Sequence, residues 1–117
     1  MELGEVQERF ARIVWENAPI ASGDLVKLCA DTLGWKKSTT YTVLRKLCDK
    51  GLFENDNGIV KVLVTADGYQ AKKSEEVIEE FFDGSLPAFV AAFANGKKVT
   101  AEEVDELQRL IDEMRER

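Results

Sequence analysis

The chain has 117 residues, of which 44% are hydrophobic and 32% charged, and it carries a formal net charge of −6 at pH 7. It contains no apolar run long enough to cross a bilayer and no secretory leader, so we expect a cytoplasmic protein without membrane insertion. It also lacks histidine, a glycine-rich phosphate loop and any paired catalytic motif, so the sequence does not predict an enzyme.

Helical spacing of apolar residues predicts a first helix from about Leu3 to Asn17. The apolar stripe of this helix is formed by Val6, Phe10, Ile13 and Val14. We expect Pro19 to end the helix, because proline restricts the residue before it and cannot donate to the helical hydrogen-bond ladder.

A second helix is predicted to begin with Ser22 as its N-cap and to end at Gly34. Asp24 would lie in the first turn, where the helix dipole favours negative charge. The side chains expected to face inward are those of Leu25, Val26, Leu28, Cys29 and Leu33. The next helix begins within a few residues, which is typical of a helix-turn-helix.

The third predicted helix, Ser38–Lys50, has two chemically different faces. Ser38 is the expected N-cap and Gly51 the expected stop. The apolar face carries Val43, Leu44, Leu47 and Cys48. The opposite face carries Ser38, Thr39, Thr42, Arg45 and Lys46. Short polar side chains allow a helix to lie deep in the major groove of DNA, while flanking cations contact phosphates. The alternative is an ordinary amphipathic helix with a solvated polar face.

Two short β-rich runs follow in the segment LFENDNGIVKVLV, residues 52–64. The pair Asn57-Gly58 between them supplies the positive φ angles that a tight hairpin turn needs. The sequence therefore predicts a mainly α fold with a small β-hairpin wing. We expect a winged helix-turn-helix domain over residues 1–66 and a helical dimerisation region over residues 67–117.

The C-terminal region is predicted to contain three consecutive helices. Their expected starts are Thr65 or Asp67, then Ser85, and then the capping box Thr100-Ala-Glu-Glu103. Gly84 and Asn95-Gly96 are the expected breaks. So many apolar positions, with little chain left to cover them, favour a homodimer. The residues expected at the dimer seam are Phe82, Leu86, Phe89, Val90, Phe93, Val104, Leu107, Leu110, Ile111 and Met114.

The acidic net charge is unevenly distributed. Residues 1–70 contain nine Lys and Arg against ten Asp and Glu, whereas residues 71–117 contain seven against twelve. Within Lys36–Lys50 there are five cations and only Asp49 as an anion. Screening over about 8 Å at physiological salt lets such a basic segment act despite distant acidic groups. A nearly neutral N-terminal region still implies modest non-specific affinity for DNA.

An ordered series of motifs resembles the penicillinase-repressor family of bacterial winged-helix regulators, which includes the methicillin-resistance repressors and the copper-responsive repressors. The resemblance covers nearly the whole chain. The motifs are Ile13-Val14-Trp15, Trp35, Lys37-Ser38-Thr39, Tyr41-Thr42, Leu44, Leu47, Lys50-Gly51, Gly58, Phe82, Gly84-Ser85-Leu86, Glu103-Val104 and Leu107.

The resemblance implies a repressor that binds a palindromic operator in double-stranded DNA as a homodimer. The residues that it places at DNA are Lys37, Ser38, Thr39, Tyr41, Thr42, Arg45, Lys46 and, on the wing, Lys61. An alternative for Tyr41 is packing against the wing, and an alternative for Thr39 is a role in the first helical turn. A further partner that the resemblance implies is a membrane protease sensor.

Three departures from the family pattern are visible. The wing has Ile59 and Leu63 where relatives often carry an arginine and an aromatic residue, which leaves Lys61 as the only cation of the wing. The β-lactam-responsive members are cleaved at an Asn-Phe bond, and the corresponding dipeptide here is Ala92-Phe93. The paired C-terminal cysteines of the copper-responsive members are absent.

No cofactor or metal is expected. The sequence has no histidine, and its only thiols are those of Cys29 and Cys48, both on predicted inward faces, where a thiol behaves as a small hydrophobic group. The acidic balance and the weakly charged wing support a second functional interpretation. In this alternative, the chain is a winged-helix protein-interaction module with weak or no DNA binding.

Overall fold

The computed structural model describes residues 2–117, which form six helices and three short strands. The elements are α1 (Glu5–Asn17), β1 (Ile20–Ala21), α2 (Ser22–Leu33), α3 (Lys37–Asp49), β2 (Phe53–Asp56), β3 (Ile59–Val62), α4 (Ala66–Phe82), α5 (Leu86–Gly96) and α6 (Ala101–Arg115). This order confirms the predicted winged helix. The chain divides into a first compact unit that ends at Glu75 and a second that covers Glu76–Arg117. The functional boundary between residues 66 and 67 stays a prediction.

The wing is the hairpin of β2 and β3, which belongs to a three-stranded antiparallel sheet in the order β1-β3-β2. Asn57 and Gly58 have φ angles of 51° and 88°, as the predicted tight turn requires. In β1, Ile20 pairs with Val60 of β3. The sequence did not predict β1, because a strand of two residues is too short to show alternation.

The core of the first unit forms where α1, α2 and α3 meet the sheet. Phe10 and Val14 of α1 are completely buried, as predicted, and the Phe10 ring stacks on Trp35 with centroids 5.6 Å apart. Trp15 packs against this core, and its Nε1 donates to the carbonyl of Val64 at 2.9 Å. Val6, the first residue of the predicted apolar stripe, is 56% exposed, and the buried positions of α1 begin one turn later with Phe10.

Two predicted N-caps are corrected by the structure. Ser22 and Ser38 both lie inside their helices rather than before them, and the N-cap positions are occupied by Ala21 and Lys36, without a side-chain capping bond. The hydroxyl of Ser22 is instead 3.1 Å from the hydroxyl of Tyr41. The third helix therefore covers Lys37–Asp49 rather than the predicted 38–50.

α4 begins within the first unit and is fixed there by side-chain contacts with α1. Thr65 caps it, since its Oγ1 accepts from the amide of Gly68 at 3.0 Å. Glu8 Oε1 accepts hydrogen bonds from the Tyr69 hydroxyl at 2.9 Å and from Lys73 Nζ at 2.6 Å. The start of α4 is thus joined to the first turn of α1.

The second unit confirms the local capping predictions. Ser85 Oγ accepts from the amide of Ala88 at 3.1 Å at the start of α5. Thr100 and Glu103 form the predicted capping box of α6, with Thr100 Oγ1 accepting from the Glu103 amide at 3.1 Å. Neither helix contains a buried residue. Among residues 2–117, no helix is both long and apolar enough to cross a membrane.

Candidate nucleic-acid interface

One side of α3 is buried in the core, which leaves its opposite side exposed. Leu44 and Leu47 are buried as predicted. Thr40 is buried with them, and its Oγ1 donates to the carbonyl of Lys36 at 3.3 Å. Sequence reasoning missed Thr40 because the hydroxyl stands among outward-facing polar residues. Its spacing of four from Leu44 and seven from Leu47 was the available signal.

The residues predicted to contact DNA are distributed over α3 and the wing. Exposed on α3 are Lys37, Ser38, Thr39, Thr42, Arg45 and Lys46, while Tyr41 is half-buried and Lys61 is exposed in β3. Spacings of three and four residues bring Ser38, Thr42 and Arg45 to one side of α3, with Thr39 and Lys46 alongside. Within residues 2–117, no hydrogen bond or ion pair joins Lys61 to this group. Contact with DNA stays a prediction for each residue.

The hydroxyl groups on this side of α3 differ in their bonding. Thr42 Oγ1 donates to the carbonyl of Ser38 at 2.9 Å, which is one turn back along the same helix. The hydroxyls of Ser38 and Thr39 are exposed and have no hydrogen-bond partner within residues 2–117. The exposed face of α3 therefore presents two free hydroxyl donors and one hydroxyl whose proton is already used.

Tyr41 connects α3 to the start of α2 rather than pointing freely outward. Its hydroxyl lies 3.1 Å from Ser22 Oγ, and Lys37 Nζ lies 6.0 Å from the centroid of its ring. The backbone amide of Ser22 donates to the carbonyl of Gly58 in the wing turn at 2.8 Å. Ser22 therefore contacts both of the predicted DNA-binding elements, α3 and the wing.

The basic segment Lys36–Lys50 presents fewer free cations than its sequence suggests. Lys50 Nζ donates to the backbone carbonyl of Glu2 at 3.1 Å and to Gln7 Oε1 at 3.3 Å, so Lys50 is turned towards the start of α1. The remaining cations of the segment, Lys36, Lys37, Arg45 and Lys46, are exposed and form no ion pair within residues 2–117. Of these four, Arg45 and Lys46 lie with Ser38 and Thr42 on the exposed side of α3.

The wing cation is paired with an acidic neighbour. Lys61 Nζ lies 2.9 Å from Asp56 Oδ2 across the hairpin. The hydrogen bond to Asp56 raises the pKa of Lys61 above its ordinary value. The lysine therefore stays charged, but its charge is offset locally, in line with the weakly charged wing that the sequence predicts.

The predicted dimerisation residues lie together in the second unit and are largely uncovered. Exposed in the single chain are Leu86, Val90, Phe93, Val104, Leu107, Leu110, Ile111 and Met114, while Phe82 and Phe89 are half-buried. The rings of Phe82 and Phe89 form an edge-to-face pair with centroids 5.5 Å apart. α5 and α6 line an apolar groove of about 920 Å³. Dimerisation through this surface stays a prediction.

Burial changes the acidity of the two cysteines. Burial raises the pKa of both the Cys29 and the Cys48 thiols, which favours the protonated form over the metal-binding thiolate. Over residues 2–117, no group of three or more His, Cys, Asp and Glu side chains is arranged to hold a metal ion.

Comparison with known proteins identifies a family and a curated relative. The family model described as penicillinase repressor matches residues 3–113. The chain is 24% identical over 120 aligned residues to the penicillinase repressor of Bacillus licheniformis, and the alignment covers 99% of this chain and 94% of the relative. The similarity therefore includes the winged helix and the helices that follow it.

Proposed function

We propose that this chain, which belongs to the penicillinase repressor family of DNA-binding transcriptional repressors, binds a palindromic operator as a homodimer and blocks transcription. The observation that carries this proposal is the exposed side of α3. There, the short side chains of Ser38, Thr39 and Thr42 lie beside Arg45 and Lys46, which have no ion-pair partner within residues 2–117.

In the proposed complex, α3 lies in the major groove of the operator. That groove is about 12 Å wide and admits one helix, provided that the side chains facing its floor are short. Ser38, Thr39 and Thr42 meet this requirement and would face base edges together with Lys46. Lys37, Tyr41 and Arg45 would lie near the phosphate backbone, where cations and hydroxyls fix the register of the helix.

A homodimer is part of the proposal for two reasons. A single recognition helix covers only a few base pairs, so specificity requires two half-sites related by the two-fold axis of the protein. In addition, the second unit exposes a continuous set of large apolar side chains on α5 and α6. A patch of this kind is expected to be covered by a partner in solution, and a second copy supplies a matching apolar surface.

The wing is proposed to contribute little to DNA affinity. Lys61, its only cation, is held at 2.9 Å by Asp56, so a phosphate would have to compete with a carboxylate that is already in place. The side chain of Glu54 lies on the strand opposite Lys61 and adds further negative charge. Most of the electrostatic attraction would therefore come from α3.

A gel shift with a salt titration tests this proposal. The probe is the promoter region of the gene that encodes the chain, and the competitor is a duplex of the same length with scrambled sequence. A retarded complex that survives the competitor supports operator binding. The logarithm of its binding constant should fall linearly with the logarithm of the salt concentration. Equal loss of the complex to the scrambled duplex and to unlabelled promoter DNA shows non-specific binding and contradicts the proposal.

The second candidate function is a winged-helix protein-interaction module. The ion pair between Lys61 and Asp56 favours it, because a phosphate would have to compete with Asp56 for the only cation of the wing. In this alternative, the chain fails to retard any duplex even at low salt, where electrostatic attraction is strongest. The same gel shift therefore separates the two functions.

Relief of repression is proposed to differ from that in relatives that are cleaved at an Asn-Phe bond. The corresponding bond joins Ala92 to Phe93, both of which are exposed on α5. A membrane protease sensor is retained as a proposed partner, but the asparagine before this bond is missing. Intact-mass analysis of the protein recovered from cells after β-lactam exposure provides the test. A fragment that ends at Ala92 would show that cleavage occurs despite the substitution.

A further inference from the structure

Thr42 differs from the other exposed hydroxyl residues of α3 in the chemistry that it offers to a ligand. Its Oγ1 donates to the carbonyl of Ser38 at 2.9 Å, so its only polar proton is engaged within the helix. The hydroxyls of Ser38 and Thr39 remain free to donate, as judged from the contacts within residues 2–117.

This hydrogen bond determines which part of the Thr42 side chain is available for contact. The methyl and hydroxyl groups of threonine occupy separate staggered positions on Cβ, and here the hydroxyl is turned back along the helix. The methyl group and the lone pairs of Oγ1 are what remains. A side chain in this state cannot donate to N7 or O6 of guanine or to N7 of adenine.

We infer that Thr42 recognises a thymine in the operator through contact between its methyl group and the C5 methyl group of the base. This inference rests on the proposed operator binding. In the major groove, the C5 methyl group distinguishes thymine from the other bases, and an apolar contact is sufficient to detect it. Hydrogen-bond donation to base edges then falls to Ser38 and Thr39 and to the cation Lys46.

The contact can be tested from the DNA side by removing single methyl groups. The probe is a duplex that the wild-type protein selects from randomised DNA, with each thymine replaced in turn by deoxyuridine. Replacement should weaken wild-type binding by about threefold to tenfold at one thymine per half-site, the scale of one buried methyl group. The variant Thr42→Ser, which lacks the methyl group, should show no loss at that thymine.

A matched pair of variants tests the same contact from the protein side. Thr42→Val keeps the methyl group and the branched shape but has no hydroxyl, so we expect it to bind within about twofold of wild type and to stay sensitive to deoxyuridine. Thr42→Ser should bind the thymine duplex about threefold to tenfold more weakly than wild type. The position is exposed, so thermal unfolding should be nearly unchanged in both variants.

The possible outcomes separate this inference from the proposed function. If the wild-type protein selects no duplex, operator binding fails and the inference fails with it. If selection succeeds but deoxyuridine is tolerated at every thymine, or if Thr42→Val loses as much affinity as Thr42→Ser, operator binding stands. In that case, only the methyl contact is overturned.

Discussion

The hydroxyl groups of Ser22 and Tyr41 lie 3.1 Å apart and join the start of α2 to the exposed side of α3. The amide of Ser22 also donates to the carbonyl of Gly58 at 2.8 Å, so the same residue holds the wing turn. The first residue of α2 thus sets the position of both elements that are proposed to meet DNA. The hydroxyl pair can be removed without changing the backbone contact.

We expect Tyr41→Phe to lower the free energy of unfolding by about 1 kcal/mol, the typical net value of one hydrogen bond. Ser22→Ala should have a similar effect, and the double variant should lose little more than either single one, because both remove the same contact. Urea denaturation of the four proteins measures this coupling. Ser38→Ala is the control, since its exposed hydroxyl has no partner within residues 2–117. Fully additive losses would show that the two hydroxyls are energetically independent.

Lys46 and Lys50 provide a matched pair for testing the DNA-binding side of α3. Both are cations of the same segment, but Lys50 is turned towards Glu2 and Gln7. If Lys46 contacts a base edge, we expect Lys46→Ala to lose about 1–3 kcal/mol of binding free energy for the operator and little for other sequences. If it contacts a phosphate, affinity should fall on all sequences and the salt slope should drop by about one. Lys50→Ala should leave the slope unchanged. Equal behaviour of the two variants would exclude this side of α3 as the DNA-binding surface.

The ion pair on the wing should limit the affinity for DNA. Asp56→Asn removes the carboxylate that lies 2.9 Å from Lys61 Nζ, so the lysine becomes available to a phosphate. We expect tighter binding to all sequences and a salt slope that is steeper by about one. Glu54→Gln is the control, because it removes the same charge from the wing but keeps the Lys61–Asp56 pair. If both variants change the slope equally, general repulsion between the acidic wing and DNA, rather than the ion pair, limits the contribution of the wing to affinity.

Local sequence patterns predicted most of the fold because they depend on residues close together in the chain. The stripe with Leu44 and Leu47 marked the buried side of α3, and Ser85 and Thr100 marked helix starts through hydrogen bonds three residues ahead. The strand β1 could not be predicted in this way. It exists only because Ile20 meets Val60, which lies forty residues further along the chain.

The candidate site was predicted less completely, since the state of a polar side chain depends on what lies opposite it in space. The sequence places Lys50 in the basic segment, but in the structure its side chain contacts the backbone of Glu2, just before α1. Ser22 had the composition of an N-cap, but its hydroxyl meets Tyr41, nineteen residues away. The engaged proton of Thr42 also depends on a rotamer that residue type alone does not specify.

The carboxylate of Glu8 should make stability depend on acidic pH. Hydrogen bonds from Lys73 and Tyr69 hold the pKa of Glu8 below its ordinary value in the folded protein. A carboxyl group of this kind stabilises the fold above its unfolded pKa of about 4.3, and the contribution is lost as pH falls through the lower folded pKa. Glu8→Gln should therefore be less stable than wild type at neutral pH, and the difference should vanish in acid. Urea denaturation across this range measures it, with Glu16→Gln as the control on α1. A constant difference at every pH would contradict the role of the charge.

The apolar groove of the second unit should be the dimer seam. Leu107 lines it and is 42% exposed in the single chain, so a partner that covers this remaining surface stabilises by roughly 1 kcal/mol. Leu107→Glu should shift the protein towards monomer and weaken operator binding, although α3 is unchanged. Sedimentation at tens of micromolar measures the shift, and Asp105→Ala, an exposed position on α6 outside the groove lining, should stay dimeric. A monomeric wild type, or a dimeric Leu107→Glu, would reject this groove as the seam.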